Sequence, residues 1–177
     1  MNLCILPLQP EDINEILSWN ADKGPEFLRQ WAGKGYVHPL TYDQIAQRLT
    51  SYNADDKCQI FKILSLGEAG GRIIGTVELN TSCMPKRTAM VCRYLISPAY
   101  HNMGYGSSAM ILLVGTAFNK MKYKALRLRV FAYNTRAVRC YEKAGFSIIE
   151  TNTWDNNLTV YEMEIKAKQH KSKTHNN

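Results

Sequence analysis

The segment SPAYHNMGYGSSAM, Ser97 to Met110, places small and amide-rich residues between two apolar runs. Pro98 cannot donate to a sheet ladder, so a strand stops there. Gly104 and Gly106 allow positive φ and let backbone approach a ligand closely. The helix that follows opens with unpaired N–H groups and the positive end of its dipole. Such a loop is an anion cradle of the size of a pyrophosphate. A plain Gly-rich connection without a ligand is the bland alternative. GYGSSA satisfies the dinucleotide pattern G-x-G-x-x-A in form only. Ile96 is too far from Gly104 for the tight first turn, and Lys122 and Lys124 stand where a ribose-binding acid belongs. An NTPase loop fails because no Gly-Lys-Ser/Thr follows.

The elements that must hold this loop can be read from periodicity. Asn2 to Pro7 reads as a strand, and Pro10 opens a short helix running to about Trp19 on Ile13, Ile16 and Leu17. Residues 22–39 read as irregular, with Gly24, Gly33 and Gly35 among the aromatics Phe27, Trp31 and Tyr36. Thr41 followed by Gln44 is a capping-box signature, starting a helix through Ile45 and Leu49. Strands follow at Cys58 to Ser65, Arg72 to Asn80 and Ala89 to Ile96, the first two joined by a turn with Gly67, Gly70 and Gly71. Met110, Leu113, Val114, Ala117, Phe118 and Met121 mark a one-faced helix. Leu126, Leu128 and Val130 alternate in a strand, Ala125 to Phe131. Thr135 to Ala144 is a helix ended by Gly145. Phe146 to Thr151 and Leu158 to Ile165 are the last strands, joined through Asp155, Asn156 and Asn157. The order βααβββαβαββ is a mixed α/β domain, antiparallel early, with one β–α–β unit.

The chain has 177 residues, 45% of them hydrophobic and 21% charged, which suits one globular domain. No apolar run approaches the ~18–20 residues of a membrane span, and Glu11, Asp12 and Asn14 disqualify the start as a signal peptide. A cytoplasmic protein is expected. Five scattered cysteines read as reduced thiols, and the four histidines form no metal-ligand spacing. Of the net charge of +7, four units come from Lys166, Lys168, Lys171 and Lys173, leaving a body of +3. The domain is therefore drawn at residues 1–166. Residues 167–177 are expected to be a solvated, disordered tail rather than a nucleic-acid contact.

VFAYNTRAVRCYEKAGF, Val130 to Phe146, taken with the earlier loop, closely resembles the GNAT superfamily of N-acyltransferases. The loop motif Arg/Gln-x-x-Gly-x-Gly/Ala appears as His101-Asn102-Met103-Gly104-Tyr105-Gly106. The second motif appears as Asn134, Ala137, Tyr141, Glu142, Lys143, Gly145 and Phe146. The N-terminal stretch and RCYEKAGF look, less specifically, like the Rim-type branch. The resemblance implies a mostly antiparallel sheet of about seven strands with one splayed parallel pair, flanked by about four helices. It implies acetyl-CoA as cosubstrate and an amine acceptor, with no metal, in a monomer or homodimer. Backbone groups of Tyr94, Leu95 and Ile96 would pair with the pantetheine amides. The N–H groups from His101 through Asn102, Met103, Gly104, Tyr105 and Gly106 to Ser107 would hold the pyrophosphate. Asn134 would contact the cofactor, and Tyr141 would point its hydroxyl at the thioester sulfur.

Acetyl transfer to an amine needs a neutral nucleophile, a donor for the developing oxyanion and a proton for the leaving thiolate. Tyr141, protonated at neutral pH, is the expected general acid. A backbone N–H near Leu95 or Ile96 would polarise the carbonyl. Some relatives carry a glutamate on the strand before the loop, but MVCRYLI has none, and Glu78 on the neighbouring strand is the best substitute base. A solvated strand glutamate is its plainer role. His101 departs from the motif's Arg or Gln. Arg136, Arg139 and Lys143 stand close by in sequence and could compensate, although solvent-facing roles are the default. Trp31, Tyr36 and His38 are candidate acceptor-pocket residues. Arg93 reaches either an acidic acceptor or solvent. An acyl-CoA-binding regulator without efficient catalysis is the alternative function.

Overall fold

A computed structural model describes residues 1–53, 57–67, 70–154 and 157–168. Asp155 and Asn156 of the expected last turn, and residues 169–177 of the expected tail, lie outside the described residues. The strands are β1 (Leu3–Pro7), β2 (Cys58–Gly67), β3 (Gly70–Asn80), β4 (Thr88–Ile96), β5 (Ala125–Phe131), β6 (Ser147–Trp154) and β7 (Leu158–Lys166). They form one sheet in the order β1-β2-β3-β4-β5-β7-β6. Every neighbouring pair is antiparallel except β4 and β5. The expected mixed sheet with one parallel pair is therefore present.

The α-helices are α1 (Ile13–Ser18), α2 (Pro25–Ala32), α3 (Tyr42–Asn53), α4 (Tyr105–Asn119) and α5 (Thr135–Ala144), with 3-10 turns at Pro10–Asp12 and Pro98–Tyr100. This is one α-helix more than expected. The addition is α2, in a stretch that reads as irregular. Gly24 and Gly33 are its end punctuation: Pro25 sits at the first turn and Gly33 closes it at φ 61°. Leu28 and Ala32, four residues apart, are its buried face. Thr41 accepts from the Gln44 N–H at 3.4 Å, but the Gln44 side chain turns instead to the backbone of Val37 and Pro39. Only half of the expected capping box forms.

Two cores lie on the two faces of the sheet. Met110, Leu113, Val114 and Ala117 of α4 pack on Val91, Leu126, Leu128 and Met163. On the other face Ile13, Ile16, Ile45 and Leu49 of the early helices pack on Ile60 and Leu95. At about 25 cal/mol per Å² of apolar surface, each such side chain contributes roughly 1.5–3 kcal/mol. Among the described residues no helix is long and apolar enough to cross a membrane.

Gly75 of β3 marks how closely β4 is packed. A Cβ there would stand 2.6 Å from the Leu95 carbonyl oxygen and 2.8 Å from Ile96 Cδ1. Gly75→Ala should cost about 1–3 kcal/mol by overpacking, read as a lowered urea midpoint. An unchanged midpoint would show that β4 yields freely at this point.

Candidate active site

Parallel strands β4 and β5 pair only from Thr88 to Val91, against Ala125 to Leu128. Beyond that they part. The register on the other side of β4 shows why: Glu78 of β3 faces Cys92 and Thr76 faces Leu95, so Val77 spans both Arg93 and Tyr94. This is a β-bulge, with Arg93 at φ 48°. Side-chain alternation slips across it. Val91, Tyr94 and Ile96 all meet the α4 core, whereas Leu95 meets the opposite one. The fork leaves the β5-facing edge of β4 without a strand partner past Val91, along Tyr94, Leu95 and Ile96.

Glu78 braces the bulge. Its oxygens accept from Arg93 at 2.7 Å and from Arg48 at 2.9 and 3.0 Å. The Tyr36 ring lies 5.7 Å from the Arg48 guanidinium and 5.8 Å from that of Arg93. Gly35 abuts the Arg93 guanidinium so closely that a Cβ there would require the guanidinium to shift. Glu78 is only 1% exposed. Burial by itself would raise its pKa, but the Arg48 hydrogen bond and the charges of Arg93 and Arg48 outweigh burial and hold it below its ordinary value. Its carboxylate is ionised and fully engaged, and it does not line the main cleft. The sequence-based assignment of Glu78 as general base is thereby corrected: the structure makes it an anchor for two arginines.

The main cleft, about 660 Å³, runs through the fork. On the α5 side it is lined by His101, Asn102, Gly104, Gly106 and Ser107, and by Asn134 and Tyr141. Met103 and Tyr105 lie outside it. Met103 is exposed and Tyr105 packs edge-on against Tyr100, ring centroids 5.1 Å apart. Gly104 takes φ 82° and Asn102 φ 63°, but Gly106 does not adopt positive φ, because it is already in the first turn of α4. Ser108 is the first residue of the helix whose N–H reaches a backbone acceptor, Gly104 O at 3.1 Å. Among the described residues, the preceding amides of Tyr105, Gly106 and Ser107, at the open end of the helix, have no backbone acceptor. The Tyr94 hydroxyl donates to Gly106 O at 2.6 Å, tying α4 to the fork.

His101 does not act as the motif's charged residue. Its Nε2 donates to Ile96 O at 2.9 Å, and its Nδ1 accepts from Arg136 at 3.0 Å. Burial, together with the Arg136 charge and against the Ile96 hydrogen bond, lowers its pKa, so the ring is neutral at pH 7. It occupies the Ile96 carbonyl expected to be open, and it positions Arg136 beside the loop. Arg139 and Lys143 line the same side of the cleft. Asn134 caps α5, its side-chain oxygen accepting from Ala137 N at 3.3 Å, which leaves its amide NH₂ to donate.

Tyr141 lies between Tyr94 and Phe146, with ring centroids 6.2 and 6.1 Å away. Burial pushes its phenol well above the ordinary tyrosine value. Cys92, at the fork, is also protonated, its pKa raised mainly by burial to about 11. The opposite side of the cleft is formed by Phe27, Arg29 and Trp31 of α2 with Arg129, Phe131 and Trp154. Of the expected acceptor residues Trp31 is there. Tyr36 packs against the two arginines, and His38 is outside, bonded to Lys23 O at 3.2 Å. Phe131 and Trp154 give no sequence signal, because strands β5 and β6 come together only through β7. Among the described residues, no three His, Cys, Asp or Glu side chains gather as a metal site would need.

A family model for the acetyltransferase (GNAT) domain matches residues 2–147. The chain belongs to the GNAT acetyltransferase family. Among curated relatives, the probable N-acetyltransferase YjcK of Bacillus subtilis (strain 168) is 24% identical over 143 residues, 80% of this chain and 78% of that protein. The spermidine N-acetyltransferase of Vibrio cholerae, solved with CoA and spermine, superposes with a TM-score of 0.79 at 18% identity, over 95% of this chain and 97% of its own. A chimera of that enzyme with hSSAT gives a TM-score of 0.78 at 20% identity over the full length of both chains. These likenesses show the fold and lend no support to the narrower Rim-type placement.

Glu78→Gln should lower stability by about 3–5 kcal/mol, since it leaves two buried guanidiniums short of a countercharge. The pH sign follows from the lowered carboxyl pKa. The contribution of Glu78 is complete above its ordinary value of 4.5 and is lost as pH falls through the lower folded value. Urea titrations should show the wild type losing its advantage over the variant only in acid. An equal or larger gap in acid than at pH 7 would contradict the brace.

Proposed function

We propose that the cleft binds acetyl-CoA and that the protein transfers the acetyl group to a primary amine by direct attack in a ternary complex. One observation carries this reading: the fork opens the unpaired edge of β4 onto the free amides at the start of α4, with the Tyr141 phenol beside it. The amides of Tyr105, Gly106 and Ser107 would hold the pyrophosphate. Arg136, Arg139 and Lys143 would add the charge that His101 lacks. The β4 edge at Tyr94, Leu95 and Ile96 would pair with the pantetheine arm as an added strand, and a main-chain N–H there would polarise the thioester carbonyl. The Asn134 amide would donate from the opposite rim. Residues 1–166 would form the whole catalytic unit.

Tyr141 would donate a hydrogen bond to the sulfur. A phenol with a raised pKa is a weaker acid than a thiol of about 8.5, so complete proton transfer to the thiolate is uphill. Its contribution is stabilisation of developing charge, about 1.5–3 kcal/mol for a hydrogen bond to a charged group. Among the described residues the cleft has no carboxylate, so the amine's proton would leave through water. That same gap supports a second reading, an acyl-CoA-binding regulator with little catalysis. The fold's likeness to spermidine enzymes makes polyamines the first amines to compare.

Acetyl-CoA should raise the melting temperature. Tyr141→Phe should lower kcat by roughly 10–100-fold while the acetyl-CoA dissociation constant stays within about threefold, measured by thiol release and calorimetry. No thermal shift with any acyl-CoA would overturn the proposal. Binding without thiol release from any amine would favour the regulator.

A further inference from the structure

We propose that the acceptor is a primary amine that carries its own carboxylate and a flat apolar group, as an aromatic amino acid does, rather than a polyamine. This deepens the N-acetyltransferase reading above and rests on it.

Charge is the first observation. The basic side chains on the cleft are Arg29, Arg93, Arg129, Arg136, Arg139 and Lys143, and among the described residues no Asp or Glu lines it. Arg136, Arg139 and Lys143 belong to α5, on the side of the phosphate loop. The other three lie across the fork, on the side of α2. Arg93 is mostly buried in its ion pair with Glu78, to which its Nη1 donates at 2.7 Å. Arg129 is not fully spent. Its Nε donates to Glu162 at 3.0 Å, its side chain is 51% exposed, and among the described residues its terminal nitrogens hold no hydrogen bond. It follows Leu128, the last β5 residue paired with β4, and lines the cleft, which puts it at the fork. Arg29 has no ion pair among the described residues. A carboxylate entering from this side finds two guanidiniums with open donors, a geometry suited to bidentate pairing. A polyamine brings several ammonium groups to the same place, where the neighbouring carboxylate, Glu162, is already shared by Arg127 and Arg129.

Shape is the second observation. Phe27 and Trp31 of α2 line this side of the cleft, and Phe131 and Trp154 line it from the sheet, meeting edge-to-face at 6.2 Å. Phe131 lies two residues after Arg129, so the alternation of β5 puts both on one face. An aromatic ring fits these walls while its carboxylate reaches Arg129. The ammonium first gives one proton to water; the neutral nitrogen then forms the bond to the thioester carbonyl carbon, the C–S bond breaks with the electron pair leaving on sulfur, and the second proton shed by that nitrogen is relayed through water to the thiolate. The products are the N-acetylated acid and the free thiol.

The test uses the full chain saturated with acetyl-CoA, with thiol release followed for L-phenylalanine, L-tryptophan, phenethylamine, tryptamine and spermidine. The two amino acids should exceed their decarboxylated partners by at least about tenfold in kcat/KM. Arg129→Gln should erase that preference, mainly through KM, without changing acetyl-CoA affinity, and Arg29→Gln should reduce it. Turnover of tryptamine or spermidine equal to or above that of the amino acids, with acetyl-CoA bound, overturns this proposal and leaves the N-acetyltransferase reading standing. If no amine is turned over, saturation-transfer NMR on the CoA-loaded protein decides. Binding of the two amino acids but not the two amines supports it, and any other pattern overturns it. Failure of acetyl-CoA itself to bind removes both readings.

Discussion

A parallel strand pair is normally held together along its length, and here it is held for four residues and then forced apart. The force comes from the extra residue in β4. Arg93 takes a left-handed backbone at φ 48°, a conformation that costs a non-glycine residue of the order of 1–3 kcal/mol. The cost is offset by Glu78, which sits across the bulge on β3 and binds both Arg93 and Arg48. A buried carboxylate would be expensive alone. With two guanidiniums on it and the Tyr36 ring beside both of them, it becomes a clamp that joins β3, β4 and α3. The open edge that a pantetheine arm would need is therefore tied to an ion-pair cluster whose carboxylate, Glu78, lies outside the cleft.

The same division of labour recurs at the loop before α4. The loop supplies free amides and little charge, because its histidine is neutral and bonded to Ile96 and Arg136. Charge is delivered from α5, whose Arg136, Arg139 and Lys143 are spaced to share one face. Because α5 also carries Tyr141, one helix would set both the countercharge for the phosphates and the donor for the sulfur in the proposed complex. Its two ends are fixed by local chemistry: Asn134 caps the first turn and Gly145 closes the last at φ 100°. A shift of α5 would therefore disturb both functions together.

Those local signals are why so much was legible in the sequence. Both α5 boundaries and the β5 boundaries follow directly from capping residues and alternation, and the loop before α4 follows from Pro98 and Gly104. What sequence could not show is non-local. Glu78 reads as an available strand carboxylate because Arg48 lies thirty residues before it and Arg93 fifteen after it. The bulge leaves no mark in MVCRYLI, since Arg93 is an unremarkable residue at a left-handed position. α2 was hidden for a different reason: its bounding glycines suggest a loop when read together and a helix only when read as ends. Phe131 and Trp154 meet through sheet order, which periodicity does not reveal.

The central claim is that the β4 edge from Cys92 to Leu95 is free main chain awaiting a strand-like ligand. Deuterium uptake by residues 92–95 tests it directly. In the free protein their β5-facing amides should exchange at least about tenfold faster than those of the paired residues 88–91, and saturating CoA should slow them to a comparable rate. Protection already present without CoA, or unchanged when CoA is bound, would contradict the account.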